Sequence, residues 1–261
     1  MANGNGLWHN TYRKQITMNI YHITFTDQHM TKSAVLSQQS AFKSGAISSH
    51  IYGQNCYDPY FFVTNRNVLI QNRGVGYWIW KPYIILKKLH SIPDNSYLIY
   101  SDAGVEFIKP LQILINSMDQ DIMLFGNNYR HLDWCKMDVM DAIIPDWRIT
   151  YNIENRQSQA SVIIIKNNKS TRDFVKEWGL LCQMPGFIDD SESKLPNYAT
   201  FQEHRHDQAI LTCLAYKYGI KLHWWPAQYN NGQFVYDKLD WYCNDNYPVM
   251  FHHHRKRNNE W

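Results

Sequence analysis

Tyr97-Leu98-Ile99-Tyr100-Ser101-Asp102-Ala103-Gly104 is the stretch on which the fold is decided. Its first four residues are apolar or aromatic and follow a turn at Pro93-Asp94-Asn95, as the central strand of a parallel sheet should. In open α/β sheets ligands bind beyond the carboxyl ends of the strands, so Asp102 is aimed at a crevice. A carboxylate there suits a hard divalent cation that bridges phosphates. Gly104 lets backbone N–H groups come close to a phosphate. On local pattern alone, Asp102-Ala103-Gly104 reads equally well as a plain turn.

Outward from this strand, helical and extended patterns alternate. Residues 16–25 read as a first strand, 33–43 as a helix stopped by Gly45, and 52–62 as a less regular aromatic stretch. Lys81-Pro82 starts a helix that the apolar spacing of Tyr83, Ile84, Leu86 and Leu89 continues. Beyond the central strand the pattern predicts a helix at 110–118, a strand at 122–125, a helix at 136–143 and a strand at 160–165. Ser170-Thr171-Arg172-Asp173 has capping-box spacing for a helix to about Cys182. Thr200-Phe201-Gln202-Glu203 predicts another, running to Tyr218 and ended by Gly219. The polar stretch 189–197 is the candidate mobile loop. This alternation implies an α/β layered fold with a mostly parallel central sheet flanked by helices. At 261 residues the chain suits one domain with a substantial core.

The composition narrows the function. Aromatic residues make up 15% of the chain, with 18 Tyr and 10 Trp, which suits stacking on sugars or bases and equally an aromatic-rich core. A net charge of +3 is too small to argue for a nucleic-acid partner. The one dense basic run, Arg255-Lys256-Arg257, reads as a solvated tail, or as a peripheral contact with a membrane or an anionic lipid-linked acceptor. Five scattered cysteines without a Cys-x-x-Cys pair fit a reducing compartment. The polar, glycine-rich start is unlike a signal peptide, and no apolar stretch approaches the roughly 20 residues that span a bilayer, so the expected location is cytoplasmic.

Three further segments could carry chemistry. In Glu203-His204-Arg205-His206-Asp207-Gln208, Asp207 shares a helical stripe with Ile210, Leu211, Leu214 and Tyr218, so it points inward and needs a partner. Glu203 has a capping position, which gives it a structural task. His252-His253-His254 could supply an imidazole metal ligand. Gly74-Val75-Gly76-Tyr77-Trp78-Ile79-Trp80-Lys81-Pro82 places a cation ahead of a helix N-terminus, which favours anions such as a diphosphate, although no Walker loop is present.

Together these segments resemble a family of small microbial and viral glycosyltransferases with the GT-A nucleotide-diphospho-sugar fold. The resemblance runs from about residue 20 to 254. It rests on Gly76-Tyr77-Trp78-Ile79-Trp80-Lys81-Pro82, Tyr100-Ser101-Asp102-Ala103-Gly104, Trp134-Cys135-Lys136-Met137-Asp138-Val139 and His204-Arg205-His206-Asp207-Gln208. It implies a single GT-A domain over 1–261, with a donor nucleotide-binding half at about 16–118 and an acceptor half at about 119–261. It implies a nucleotide-sugar donor such as a UDP-sugar, a glycan or lipid-linked glycan acceptor, and Mn2+ or Mg2+ between protein and diphosphate. The task would lie in surface polysaccharide or glycoprotein glycan synthesis, by a hexosyl- or pentosyltransferase.

Under the resemblance, Lys81, Trp80, Asp102, Ala103 and Gly104 bind the donor, and His206, Gln208 and Glu203 face the acceptor or the sugar. Asp102 and His253 bind the metal. Asp102 stands at the first acid of the Asp-x-Asp motif, and Gly104 replaces the second. Glu106, a histidine among His252 to His254, or water must then complete the shell, or metal dependence is weak. Asp207 is the catalytic residue, a base in an inverting enzyme or a sugar-holding group in a retaining one. Two rival readings are a non-catalytic carbohydrate- or nucleotide-binding module on the same fold and a metal-dependent hydrolase using the chain's twelve histidines.

Overall fold

In a computed structural model, which describes residues 18–152, 154–228 and 246–261, the β-branched and aromatic run Ile20–Phe25 forms the first strand, β1. There follow α1 (Thr31–Lys43), β2 (Ser48–Tyr52), α2 (Pro59–Thr64), α3 (Arg66–Leu69), a single turn α4 (Gly74–Tyr77) and α5 (Trp80–Ser91). The middle of the chain gives β3 (Tyr97–Asp102), β4 (Val105–Phe107), α6 (Gln112–Asn116), β5 (Ile122–Arg130), α7 (Met137–Ile143) and α8 (Trp147–Thr150). The remainder gives β6 (Arg156–Lys166), α9 (Lys169–Cys182), α10 (His206–Lys217), β7 (Leu222–His223), β8 (Ala227–Gln228) and β9 (Phe251–His253).

Six strands form the central sheet in the order β2-β1-β3-β6-β5-β7. Only β6 is reversed: it pairs antiparallel with β3 and β5, while the other three pairings are parallel. The expected α/β layering around a mostly parallel sheet is therefore present. Gln157 to Ile165 of β6 are all buried, as a strand covered on both faces requires. Successive residues serve opposite layers: Ile163 and Ile165 pack with Leu211 and Trp178, whereas Val162 and Ile164 pack with Leu114 and Trp225. In a second sheet, β4-β9-β8, the strand β4 begins at Val105, with only Ala103 and Gly104 between it and Asp102. The turn carrying Asp102 thus lies where the two sheets meet.

Several boundaries differ from the sequence expectation for identifiable reasons. The first strand starts at Ile20, and residues 16 and 17 lie outside the described residues. The cap of α9 is Asn168, whose side chain accepts from Thr171 N while Thr171 Oγ1 accepts from Asn168 N, so Ser170 is inside the helix. Thr200 and Glu203 open no helix. Thr200 Oγ1 bonds Asp133 and Arg130, Glu203 pairs with Arg73 and Arg205, and α10 begins only at His206. Pro82 sits in the first turn of α5, where the missing N–H has no intrahelical partner to lose. The loop 189–197 is anchored, since Lys194 N and Leu195 N both donate to Asp138 at 2.8 Å.

Candidate active site

Three sequence motifs meet at the carboxyl end of β3. Lys81, in the first turn of α5, reaches between Asp102 at the end of β3 and Asp207 in the first turn of α10. Its Nζ lies 3.0 Å from Asp207 Oδ2 and 3.5 Å from Asp102 Oδ1, and donates to the Ala160 carbonyl at 3.0 Å. The side chains of Lys81 and Asp207 are 3% and 4% exposed, whereas that of Asp102 is 33% exposed, so Asp102 is the member of the trio open to a ligand. Tyr100 OH donates to Asp102 Oδ1 at 2.6 Å, and Trp178 Nε1 donates to the Asp207 carbonyl at 3.0 Å.

The electrostatics follow from one cation held among two anions. Burial pushes the Asp207 carboxyl up to about 6, against the opposing pull of Lys81, and the Asp102 charge adds to the rise. Burial alone would lower the Lys81 ammonium, but the two carboxylates outweigh it and hold the amine above its ordinary value. A carboxylate near 6 is placed to accept a proton at neutral pH.

The trio lines a cavity of about 600 Å³, within the range of small-molecule sites. One wall is unusual. Gly74, Val75, Gly76, Tyr77 and Trp78 have φ of 57°, 54°, 92°, 52° and 61°, a left-handed turn in which three members carry side chains. Each non-glycine residue there costs about 1–2 kcal/mol, and strain of this kind collects at functional sites. The turn is held by Trp80 Nε1 donating to the Gly74 carbonyl at 2.9 Å and by Tyr77 stacked on His206 at 4.9 Å. Val75 and Trp78 face the cavity. At Gly76 an added Cβ would meet Leu69 Cα at 2.8 Å on top of the positive φ. Gly76→Ala is accordingly expected to lower stability by about 1–3 kcal/mol, read as a fall in the calorimetric Tm.

The other sequence candidates divide. Ala103, Gly104, His206, Gln208 and His253 line the cavity with the trio. Gln208 spends both ends of its amide on the protein, donating to Gln157 Oε1 at 2.6 Å and accepting from Ala160 N at 3.4 Å. His206 Nδ1 bonds the Ile188 carbonyl at 2.7 Å. Trp80 reaches the cavity but is 4% exposed, its ring stacked on Phe25 at 3.8 Å, so it acts mainly as packing. Glu203 does not join the cavity lining. It bridges Arg73 and Arg205 at 3.0 Å each.

The largest correction concerns the C-terminal basic run: Arg255 and Arg257 are exposed, as a solvated segment would be, but the backbone is clamped to the domain and is no free tail. β9 pairs with β4, setting His253 beside Val105, and the chain then crosses Gly104, whose carbonyl accepts from His254 N and Arg255 N at 3.0 and 3.4 Å. Beyond it, Ser33 Oγ donates to the Lys256 carbonyl. Asn258 N donates to the His29 carbonyl at 2.8 Å, and Lys32 N donates to Asn258 Oδ1 at 2.9 Å. The segment is thereby clamped to the start of α1, and Arg255 and Arg257 line the cavity. Sequence reasoning missed both arginines because only the β4–β9 pairing brings them to Asp102.

The same crossing decides how well a divalent cation fits. Any side chain at residue 104 would place its Cβ 2.8 Å from Arg255 Cα, so the second acid of an Asp-x-Asp pair has no room. Glu106 faces away toward His252, with 3.4 Å between Oε2 and Nδ1. His253 Nε2 accepts from Arg255 Nε at 3.2 Å, which puts a guanidinium against the imidazole expected as a ligand. Asp102 Oδ1 is already shared by Tyr100 and Lys81. Among the described residues, no group of three His, Cys, Asp or Glu in ligand range includes Asp102. These residues do not fit a metal shell. The group that does cluster, His131, Cys135 and Cys213, is sealed in the core, and none of its members lines the cavity.

No family model matches the chain, and no curated protein matches it. Among solved structures, the chain is similar to mouse xyloside xylosyltransferase 1 in its apo form, with 9% identity, coverage of 94% of this chain and 99% of that one, and a TM-score of 0.44. It is similar to the galactosyltransferase LgtC in complex with donor and acceptor sugar analogues, with 15% identity, 91% and 87% coverage and a TM-score of 0.49. It is also similar to a glycosyltransferase involved in glycosylation of the major capsid of PBCV-1, with 10% identity, 64% and 68% coverage and a TM-score of 0.37. At these scores the architecture of this chain rests on its own strand order. No helix among the described residues is long and apolar enough to cross a membrane.

Proposed function

We propose that the chain is a GT-A-type glycosyltransferase that moves a sugar from a nucleotide diphosphate, a UDP-sugar in the first instance, to a hydroxyl of a glycan or lipid-linked glycan. The observation that carries this reading is the convergence of Lys81, Asp102 and Asp207 on one cavity at the carboxyl end of a central strand. It agrees with the motif resemblance, which is built on the segments that contribute these three residues.

In the reaction, the acceptor oxygen bonds to the anomeric carbon. The bond from that carbon to the diphosphate oxygen breaks, and its electron pair stays on the diphosphate. The acceptor proton must leave, and Asp207, raised by burial to about 6, is the base for it if configuration inverts. If configuration is retained, Asp207 holds the sugar. Lys81 keeps Asp207 ionised and oriented in either case. Tyr100 and Lys81 fix Asp102 toward the cavity, where its exposed oxygen accepts from donor hydroxyls.

Thermal-shift screening against UDP- and GDP-sugars tests the donor assignment, since a ligand that binds only the native state at 100 times its Kd adds about 2.7 kcal/mol. A rise in Tm with one donor is expected, followed by transfer on a mixed acceptor panel read by mass spectrometry. No shift with any nucleotide sugar refutes the reading. A shift with neither transfer nor donor hydrolysis makes the chain a binding module. For an inverting enzyme, log kcat/KM is expected to rise with unit slope up to about pH 6 and then level, as Asp207 loses its proton. A profile flat between pH 5 and 7 removes Asp207 as the base.

A further inference from the structure

We propose that Arg255 and Arg257 bind and neutralise the donor diphosphate directly, in the place a divalent cation would occupy. The inference rests on the nucleotide-sugar reading above and departs from the metal that the motif resemblance implies.

A diphosphate brings at least two negative charges beside Asp102 and Asp207, so the cavity must supply cations not already committed. Lys81 is spent on the two carboxylates. Arg73 and Arg205 share Glu203, and Arg73 also pairs with Asp190. Arg255 and Arg257 line the same cavity and make no carboxylate ion pair among the described residues. Among the described residues the Arg255 side chain donates only its Nε, to His253, which leaves the two terminal nitrogens for a ligand. A guanidinium offers parallel N–H donors matched to phosphate oxygens, so it can replace both the charge and the bridging of a cation.

The backbone around Arg255 is built to hold it there. Arg255 is a non-glycine residue at φ 55°, kept in the left-handed region by the bonds from residues 254 and 255 to the Gly104 carbonyl. The absence of a side chain at Gly104 is what lets this crossing approach so closely, with Arg255 Cα 2.8 Å from where a Cβ would stand. One substitution therefore links two facts: the residue that removes the second acid is the residue that admits the arginine. On the far side, Asn258 and Lys256 tie the segment to residues 28–33, so Arg257 is presented from an anchored strap.

Calorimetric titration of UDP and GDP into the intact protein, in EDTA and in Mn2+, tests this. The better nucleotide is expected to bind in EDTA within about threefold of its affinity in Mn2+. Arg255→Ala and Arg257→Ala are each expected to weaken the diphosphate tenfold or more and to erase its preference over the monophosphate, with Tm within a few degrees of the parent. Arg255→Lys, which keeps charge but not the fork, should recover only part. Binding that appears only with Mn2+, or arginine variants that bind the diphosphate as the parent does, overturns the proposal and leaves the donor reading intact. If neither nucleotide binds in either buffer, the donor reading fails and the proposal falls with it.

Discussion

Asp207→Asn is expected to lower kcat by about 10²–10⁴-fold if the enzyme inverts, the range that a positioned general base contributes, while leaving the protein folded. The separation of the two effects is the informative part. Asp207 is buried and its carboxyl is raised to about 6, so the native state holds its proton more tightly than the unfolded chain does. Stability from this group is therefore greatest below the unfolded value near 4 and is lost as pH rises through about 6. At neutral pH the ionised carboxylate is a cost that the amide does not incur. Against this, Lys81 loses one partner but keeps Asp102 at 3.5 Å and the Ala160 carbonyl at 3.0 Å. The two changes oppose each other, and Tm at pH 7 should stay within a few degrees. Steady-state kinetics and calorimetry on the same preparation check both halves. Full activity in the variant removes the base, and a collapsed Tm makes Asp207 a structural anchor.

Lys81→Met is expected to do the reverse and damage the fold first. Methionine fills much of the same volume, so packing against Tyr100 and Trp80 survives, but the charge between Asp102 and Asp207 is gone. Removing one partner of a buried ionic group costs about 3–5 kcal/mol. For a chain of this size that is roughly 6–20 °C in Tm. Because Asp207 is buried and Asp102 partly open, the deficit should ease as Asp207 takes up a proton. The Tm gap between variant and parent is therefore expected to narrow on going from pH 7.5 to pH 5. A gap independent of pH would mean that packing, not charge, is what Lys81 contributes.

These two residues also mark how far the sequence can be read. Lys81 reads only as a cation at a helix N-terminus that favours an anion, but Asp207 is legible because it violates its surroundings, an acid on the buried stripe of a helix. A charge in such a position has to be partnered, so a site was implied before any partner was known. The sequence could not say that the partner was the same for both acids. That pairing spans more than one hundred residues and exists only because α5 and α10 abut the same strand end. Glu203 shows the opposite failure. A capping box is a local pattern, and here long-range ion pairs with Arg73 displaced it.

By itself the sequence determined the α/β layering, because runs such as 160–165 and 97–100 are apolar without alternation and only a strand covered on both faces tolerates that. It also determined that Asp102 stands at a strand end. Tertiary structure alone decided what surrounds Asp102. The reversal of β6 leaves no trace because a strand buried on both faces reads the same in either direction, and the three-residue pairing of β9 with β4 leaves none because strands that short carry no readable period. Yet that pairing carries Arg255 over Gly104 and turns a run of charges that reads as a solvated tail into a wall of the cavity.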